Sequence, residues 1–253
     1  MNRQVVVKNL LVDYSVFSEQ AEASQSLLFL HGWRSQKEVW KPVIGRLQKQ
    51  CKIYAMDLPG FGASQTPSQP MSVGDYAGAV REFIEKLDLK NVVVIGHSFG
   101  GRVGIKLSSQ YPNLISKLVL VDSAGFAMDA SKKSLMNMAA KIVKPIFKPK
   151  IMQGLRKKIY QKIGAEDYVA TPQLTRTYLK VISENLSADM QVIACPTLIV
   201  FGSHDTETPA SFGSKMQNLI PNSKFVILNN AGHFSFLDQP DEFVRLLLEF
   251  IER

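Results

Sequence analysis

From Ser26 onward the chain alternates short apolar runs with stretches of helical period. SLLFL, KIYAMDL, NVVVIG, KLVLVDS, PTLIVFG and KFVILNN are largely continuous apolar runs without polar alternation, the pattern of strands buried by helices on both faces of a parallel sheet. Two earlier runs, RQVVVKN and LLVDYSVF, are separated by a short polar break and predict an antiparallel pair ahead of that sheet. Segments 37–50, 72–88, 99–111, 209–219 and 240–252 fill the gaps and predict helices. The last opens with Asp241 and Glu242 and closes with Arg253, charges that complement the helix dipole.

Between Phe126 and about Met190 the alternation stops. Leu135, Met138, Ala139 and Ile142 fall on one helical stripe, Pro145 and Pro149 end it, and Ile151, Leu155 and Ile159 mark a second amphipathic stretch. Thr171 followed by Pro172 predicts the N-cap and first position of a third helix. The resulting fold class is α/β: a mostly parallel eight-stranded sheet with helices on both faces. Residues 1–125 and 191–253 are expected to form the core domain, with 126–190 inserted after the sixth strand as a helical lid.

Composition narrows this picture. At 253 residues, 45% of them apolar, the chain is long enough for one sizeable core. No run approaches the roughly 18 uncharged apolar residues of a membrane span, and the start MNRQVVVKNL lacks a signal-peptide apolar region. Cys51 and Cys195 are far apart and lack metal-ligand spacing, which argues against a disulfide framework or a metal site and for a reducing, cytoplasmic setting.

The net charge of +8 is concentrated. Ten Lys or Arg lie between Phe126 and Ala165 against one acid, Asp129. Two readings are open: a solvated outer face of the lid helices, or attraction to an anionic membrane surface or acidic acyl substrate. Nucleic acid is not an expected partner, because aromatics are not interleaved with the basic residues.

The candidate chemistry lies in VVVIGHSFGGRVG, residues 92–104. Gly96-His97-Ser98-Phe99-Gly100 is G-x-S-x-G between a predicted strand and a predicted helix, the setting in which a tight turn lifts a serine to a helix N-terminus. A serine hydroxyl needs a base. Among His31, His97, His204 and His233, the last sits just past the final predicted strand, at the carboxyl edge where parallel sheets collect their sites. His97 reads as a structural neighbour of the serine, and His204 as a loop residue. The acid that orients the imidazole is expected at Asp205, with Asp122, which also ends a strand, as the alternative and Glu207 as a weaker one. Backbone N–H groups of Phe99 and of Trp33, in the His31-Gly32-Trp33-Arg34 loop, are the expected oxyanion donors.

These pieces resemble the α/β-hydrolase fold superfamily over nearly the whole chain: LLFLHGW, IYAMDLPGFGAS, VVVIGHSFGG, LVLVDSAG, CPTLIVFGSHDTETP and NNAGHFSFLDQPDEF. The resemblance implies a cofactor-independent serine hydrolase with the chain order Ser98, Asp205, His233. It gives the Asp57–Ser64 segment a loop-shaping role, and Ser98 in place of aspartate disfavours dehalogenase and epoxide hydrolase chemistry. A small-molecule carboxylic ester with a hydrophobic acyl or alcohol part is the expected substrate, as in a carboxylesterase or monoacylglycerol lipase. C–C bond hydrolase, lactonase, thioesterase and perhydrolase activities share such a triad and stay open, as does a ligand-binding receptor with little turnover. Oligomeric state is not readable from the sequence.

Overall fold

The computed structural model describes residues 2–17, 25–47, 51–127 and 171–252. Eight strands occur among them: β1 (Asn2–Val7), β2 (Leu10–Val16), β3 (Ser26–Leu30), β4 (Lys52–Met56), β5 (Val92–His97), β6 (Ile115–Val121), β7 (Thr197–Gly202) and β8 (Ser223–Leu228). They form one sheet in the order β1-β2-β4-β3-β5-β6-β7-β8. β1 pairs antiparallel with β2 and β2 with β4; every later pairing is parallel.

The continuous apolar runs follow from burial on both faces. Leu28, Leu30, Val92, Val94, Leu118, Leu120, Ile199 and Phe201 turn to one face, where they meet α2 (Val73–Lys86) and α3 (Phe99–Gln110). Their neighbours Leu27, Phe29, Val93, Ile95, Val119, Val121, Leu198 and Val200 turn to the other, under α1 (Lys41–Leu47) and the last helix. Successive strand residues point to opposite faces, so a strand with two covered faces must be apolar at every position. Each fully buried Leu, Val or Phe contributes about 1.5–3 kcal/mol. The second face is closed by Trp40, stacked on Phe236 at a centroid distance of 4.0 Å.

Helix starts follow local chemistry. Ser72 caps α2 in a reciprocal box with Asp75, which satisfies two otherwise orphaned first-turn donors. Segment 37–50 divides into a 3-10 turn at Lys37–Trp40 and α1, with 48–50 outside the described residues. Residues 171–191 form a 3-10 turn at Pro172–Leu174, α4 (Thr175–Ser183) and α5 (Ser187–Gln191). The helix expected at Thr171 therefore begins as a 3-10 turn, and the Thr171 side chain makes no capping bond to it. α6 (Ala210–Leu219), the short α7 (Ser235–Asp238) and α8 (Pro240–Ile251) complete the described elements.

The expected lid helices around 132–144 and 151–159, with their basic residues, lie outside the described residues, as does Arg253. Arg102, buried in α3, donates to the backbone carbonyls of Phe126, Val181 and Glu184. One guanidinium thus ties the chain on both sides of residues 128–170 to α3. Among the described residues no helix is long and apolar enough to cross a membrane.

Candidate active site

β5 ends at His97 and α3 begins at Phe99, so a single residue makes the turn. Ser98 takes φ 50° and ψ −106°, a left-handed conformation that costs a residue with a side chain about 1–3 kcal/mol. Its surroundings hold it there. Ser98 N donates to Val121 O at 3.0 Å, and its carbonyl accepts from Gly101 N at 3.1 Å and Ala124 N at 3.2 Å. A Cβ at Gly96 would lie 2.4 Å from Gly100 O, and one at Gly100 the same distance from Leu30 O. Both flanking glycines are steric requirements of the elbow.

The loop after β3 lies against this serine. A Cβ on Gly32 would sit 2.8 Å from His97 Nδ1 and 3.3 Å from Ser98 Cβ. His31 braces the loop: its Nδ1–H donates to Gly32 O at 2.7 Å, and its Nε2 accepts from Leu58 N at 3.0 Å. The Trp33 ring then meets Phe61, Phe99 and Tyr178 at centroid distances of 4.9, 5.2 and 5.1 Å. An aromatic wall therefore adjoins the loop and the elbow. The Asp57–Ser64 segment is held from beneath: the buried Asp57 carboxylate accepts from Lys37 N, Lys37 Nζ and Ala63 N, and Lys37 Nζ also pairs with Asp13. These contacts fix the path of the segment.

Asp205 and His233 come from the loops after β7 and β8 and meet at 2.8 Å, Asp205 Oδ2 to His233 Nδ1. The same carboxylate accepts from Glu207 N at 2.8 Å and Thr208 N at 3.0 Å through Oδ1. Burial alone raises the Asp205 pKa, but the hydrogen bond and charge of His233, with the Thr208 bonds, hold it below its ordinary value. Burial disfavours the imidazolium of His233. The Asp205 hydrogen bond and charge, with the charges of Glu207 and Asp122, outweigh that and leave its pKa raised.

The fully buried Asp122 carboxylate meets backbone donors, accepting from Gly202 N at 2.8 Å and Ser235 N at 3.0 Å, so it fastens the end of β7 to α7. Burial pushes its carboxyl up to about 7 against those bonds. His97 is structural in the same sense. Its Nε2–H donates to the backbone carbonyl of His233 at 2.7 Å, and the two rings lie 4.9 Å apart. Burial, then the His233 charge, push His97 down to about 3, which keeps it a neutral donor. His204 is exposed on its loop.

Two residues were not foreseen in these positions. Thr208 Oγ1 lies 2.7 Å from Asp205 Oδ2, 2.9 Å from Asp122 O and 3.2 Å from His233 Nδ1. Glu207, the weakest of the expected acids, reaches the opposite side of the imidazole instead, with Oε2 3.4 Å from His233 Nε2. The only sequence signal for either was their proximity to Asp205.

An Alpha/beta hydrolase family model matches residues 27–246. This chain belongs to that family. The hydrolase is 27% identical to a pimeloyl-[acyl-carrier protein] methyl ester esterase of Nitrosomonas europaea, over 91% of this chain and 97% of that one. It is 28% identical to a monoacylglycerol lipase of Bos taurus, over 89% of this chain and 75% of that one. Among solved structures, an esterase from Exiguobacterium antarcticum superposes with a TM-score of 0.81 at 20% identity, covering all of both chains. That likeness shows the fold of the hydrolase.

Proposed function

We propose that this alpha/beta hydrolase is a carboxylic ester hydrolase that works through an acyl-enzyme, with Ser98 as nucleophile, His233 as base and Asp205 as the acid that orients it. The observation that carries the reading is the 2.8 Å Asp205–His233 pair, whose imidazole packs 4.9 Å from the ring of His97, the residue before the strained serine at the start of α3. With Nδ1–H donated to Asp205, the imidazole presents an unprotonated Nε2. That nitrogen takes the Ser98 hydroxyl proton as Oγ bonds to the acyl carbon. The carbonyl oxygen becomes an oxyanion that the backbone N–H groups of Phe99 and Trp33 stabilise. Nε2–H then protonates the departing alcohol oxygen, and the C–O ester bond breaks. Water attacks the acyl carbon as Nε2 takes its proton, and Nε2–H returns that proton to Ser98 Oγ as the C–Oγ bond breaks and the carboxylic acid leaves.

The aromatic wall of Trp33, Phe61, Phe99 and Tyr178 supports a hydrophobic acyl or alcohol part. The names of the two relatives, both ester-cleaving enzymes, support ester over the other bonds this machinery can break. We assign residues 126–190 to an inserted helical lid and residues 1–125 and 191–253 to the core. We place the reaction in the cytoplasm and assign no metal or cofactor to it. The test is p-nitrophenyl butyrate turnover together with fluorophosphonate labelling. Turnover with one label at Ser98 is expected, whereas binding without either would replace the enzyme with a receptor.

The raised basicity of His233 also sets the pH dependence. The base acts only when neutral, so kcat/KM falls as pH drops through its pKa. Because that pKa lies above the ordinary value of 6.5, the acid limb is expected to have its midpoint above pH 6.5. A profile that stays flat down to pH 5 would remove histidine as the base.

A further inference from the structure

Thr208 has no part in the proton transfers above, yet it touches both the acid and the base. Its Oγ1 lies 2.7 Å from Asp205 Oδ2, 3.2 Å from His233 Nδ1 and 2.9 Å from Asp122 O. The side chain is buried where the loops after β6, β7 and β8 meet. Asp122 follows Val121, whose carbonyl holds Ser98 N at 3.0 Å, so the same hydroxyl adjoins the strand end that supports the elbow.

A hydroxyl has one proton and two lone pairs, and three groups face this one. His233 Nδ1 directs its own proton at Asp205 Oδ2, so toward Thr208 it can only donate. The two acceptors are a carboxylate oxygen at 2.7 Å and a backbone carbonyl at 2.9 Å. The shorter contact, to the charged acceptor, makes the stronger bond, which commits the hydroxyl proton to Asp205. Thr208 thereby grips both oxygens of the acid, Oδ1 through its backbone N–H at 3.0 Å and Oδ2 through its side chain. Oδ1 has a second backbone donor, Glu207 N at 2.8 Å. On Oδ2 the hydroxyl is, among the described residues, the only donor besides the imidazole itself. Its direction is set in advance: Thr208 precedes Pro209, which confines its backbone to extended conformations, and a β-branched side chain has few χ1 states open to it.

Resting on the ester hydrolase reading, we propose that Thr208 is a positioning residue of the triad, whose hydroxyl fixes the plane of the Asp205 carboxylate and, through it, the direction of the His233 imidazole. Without that hydroxyl the protein pins the carboxylate at Oδ1 alone. The group can then turn about its Cβ–Cγ bond and swing Nε2, on the far side of the ring, away from the serine proton it must take. Such a misplacement slows acylation and deacylation alike, because the same nitrogen moves the proton in both. Substrate binding is left as it was.

The experiment measures p-nitrophenyl butyrate kinetics and the rate of fluorophosphonate labelling for Thr208→Val and Thr208→Ser, and for Thr208→Val combined with Asp205→Asn. All are read at a temperature where circular dichroism shows the protein folded. Thr208→Val keeps the branched shape and removes the hydroxyl; it is expected to lower kcat and the labelling rate about tenfold, with KM within about twofold. Thr208→Ser keeps the hydroxyl and is expected to recover most of that loss. In the Asp205→Asn background the carboxylate is gone, and adding Thr208→Val is expected to cost less than about twofold more. A packing role would give the opposite pattern. Thr208→Ser as slow as Thr208→Val, or an undiminished cost on top of Asp205→Asn, overturns this inference alone, as does a Thr208→Val kcat within about twofold of wild type. If Thr208→Val does not fold, Thr208→Ala, which also removes the hydroxyl, carries the same comparisons. If the wild-type protein neither hydrolyses the ester nor takes a label at Ser98, the hydrolase reading falls and this one with it.

Discussion

Ser98→Ala is expected to lower ester turnover by about 10⁴-fold or more and to abolish fluorophosphonate labelling. The substitution removes one oxygen and leaves the elbow intact. The backbone at Ser98 is held by Val121 O and by donors from Gly101 and Ala124, none of which involves the hydroxyl. Alanine has a Cβ like serine, so the penalty of φ 50° is already present in the wild-type protein. The melting temperature should therefore change little, which separates lost chemistry from lost folding. Any residual rate over water comes from the oxyanion donors and binding, which survive. Turnover above about one per cent of wild type in purified protein, with the fold unchanged, would move the nucleophile away from Ser98.

Asp205→Asn is expected to cost about 10³- to 10⁴-fold in kcat. All four acceptor directions of the carboxylate are engaged: Glu207 N and Thr208 N on Oδ1, Thr208 Oγ1 and His233 Nδ1 on Oδ2. An asparagine keeps its oxygen toward the two backbone donors and turns its NH₂ toward His233. The imidazole must then accept at Nδ1 and carry its proton on Nε2, the tautomer that cannot deprotonate serine. Asp122→Asn sets the contrast. Its carboxylate accepts from Gly202 N and Ser235 N, so the amide leaves one buried N–H facing another, a loss of about 1–3 kcal/mol of stability. Its effect on kcat at a temperature where the protein is folded should be far smaller than that of Asp205→Asn. Reversal of this order, measured with circular dichroism alongside the kinetics, would transfer the acid's role to Asp122.

The central strands β3, β5, β6 and β7 were legible because each lies beneath helices on both faces, which leaves a run of apolar residues that resists any other reading, whereas the edge strand β8, expected to be covered on both faces, keeps Ile227 44% exposed. Element ends were less legible. The four residues of α7 do not complete an amphipathic period, and the start of segment 37–50 is a 3-10 turn whose tighter winding leaves no mark in the spacing of apolar positions. The serine was legible for a steric reason: backbone crowding at 96 and 100 excludes side chains, so the turn geometry is written as glycine.

The partners of that serine were only partly legible. Asp122 and Asp205 both follow parallel strands and so arrive at the same edge of the sheet, and spacing along the chain cannot say which of two neighbouring loops bends toward a third.

The sequence by itself determined the layered α/β architecture, the elbow around Ser98 and the set of candidate groups at one sheet edge, because burial and backbone sterics act residue by residue along the chain. Only the tertiary structure decided that Asp205 meets the imidazole while Asp122 clamps backbone, that His97 holds the His233 carbonyl, and that Glu207 stands at the imidazole's open side. Those outcomes depend on the directions of side chains from separate loops, and hydrogen bonds a few ångströms long are set by where loops meet in space.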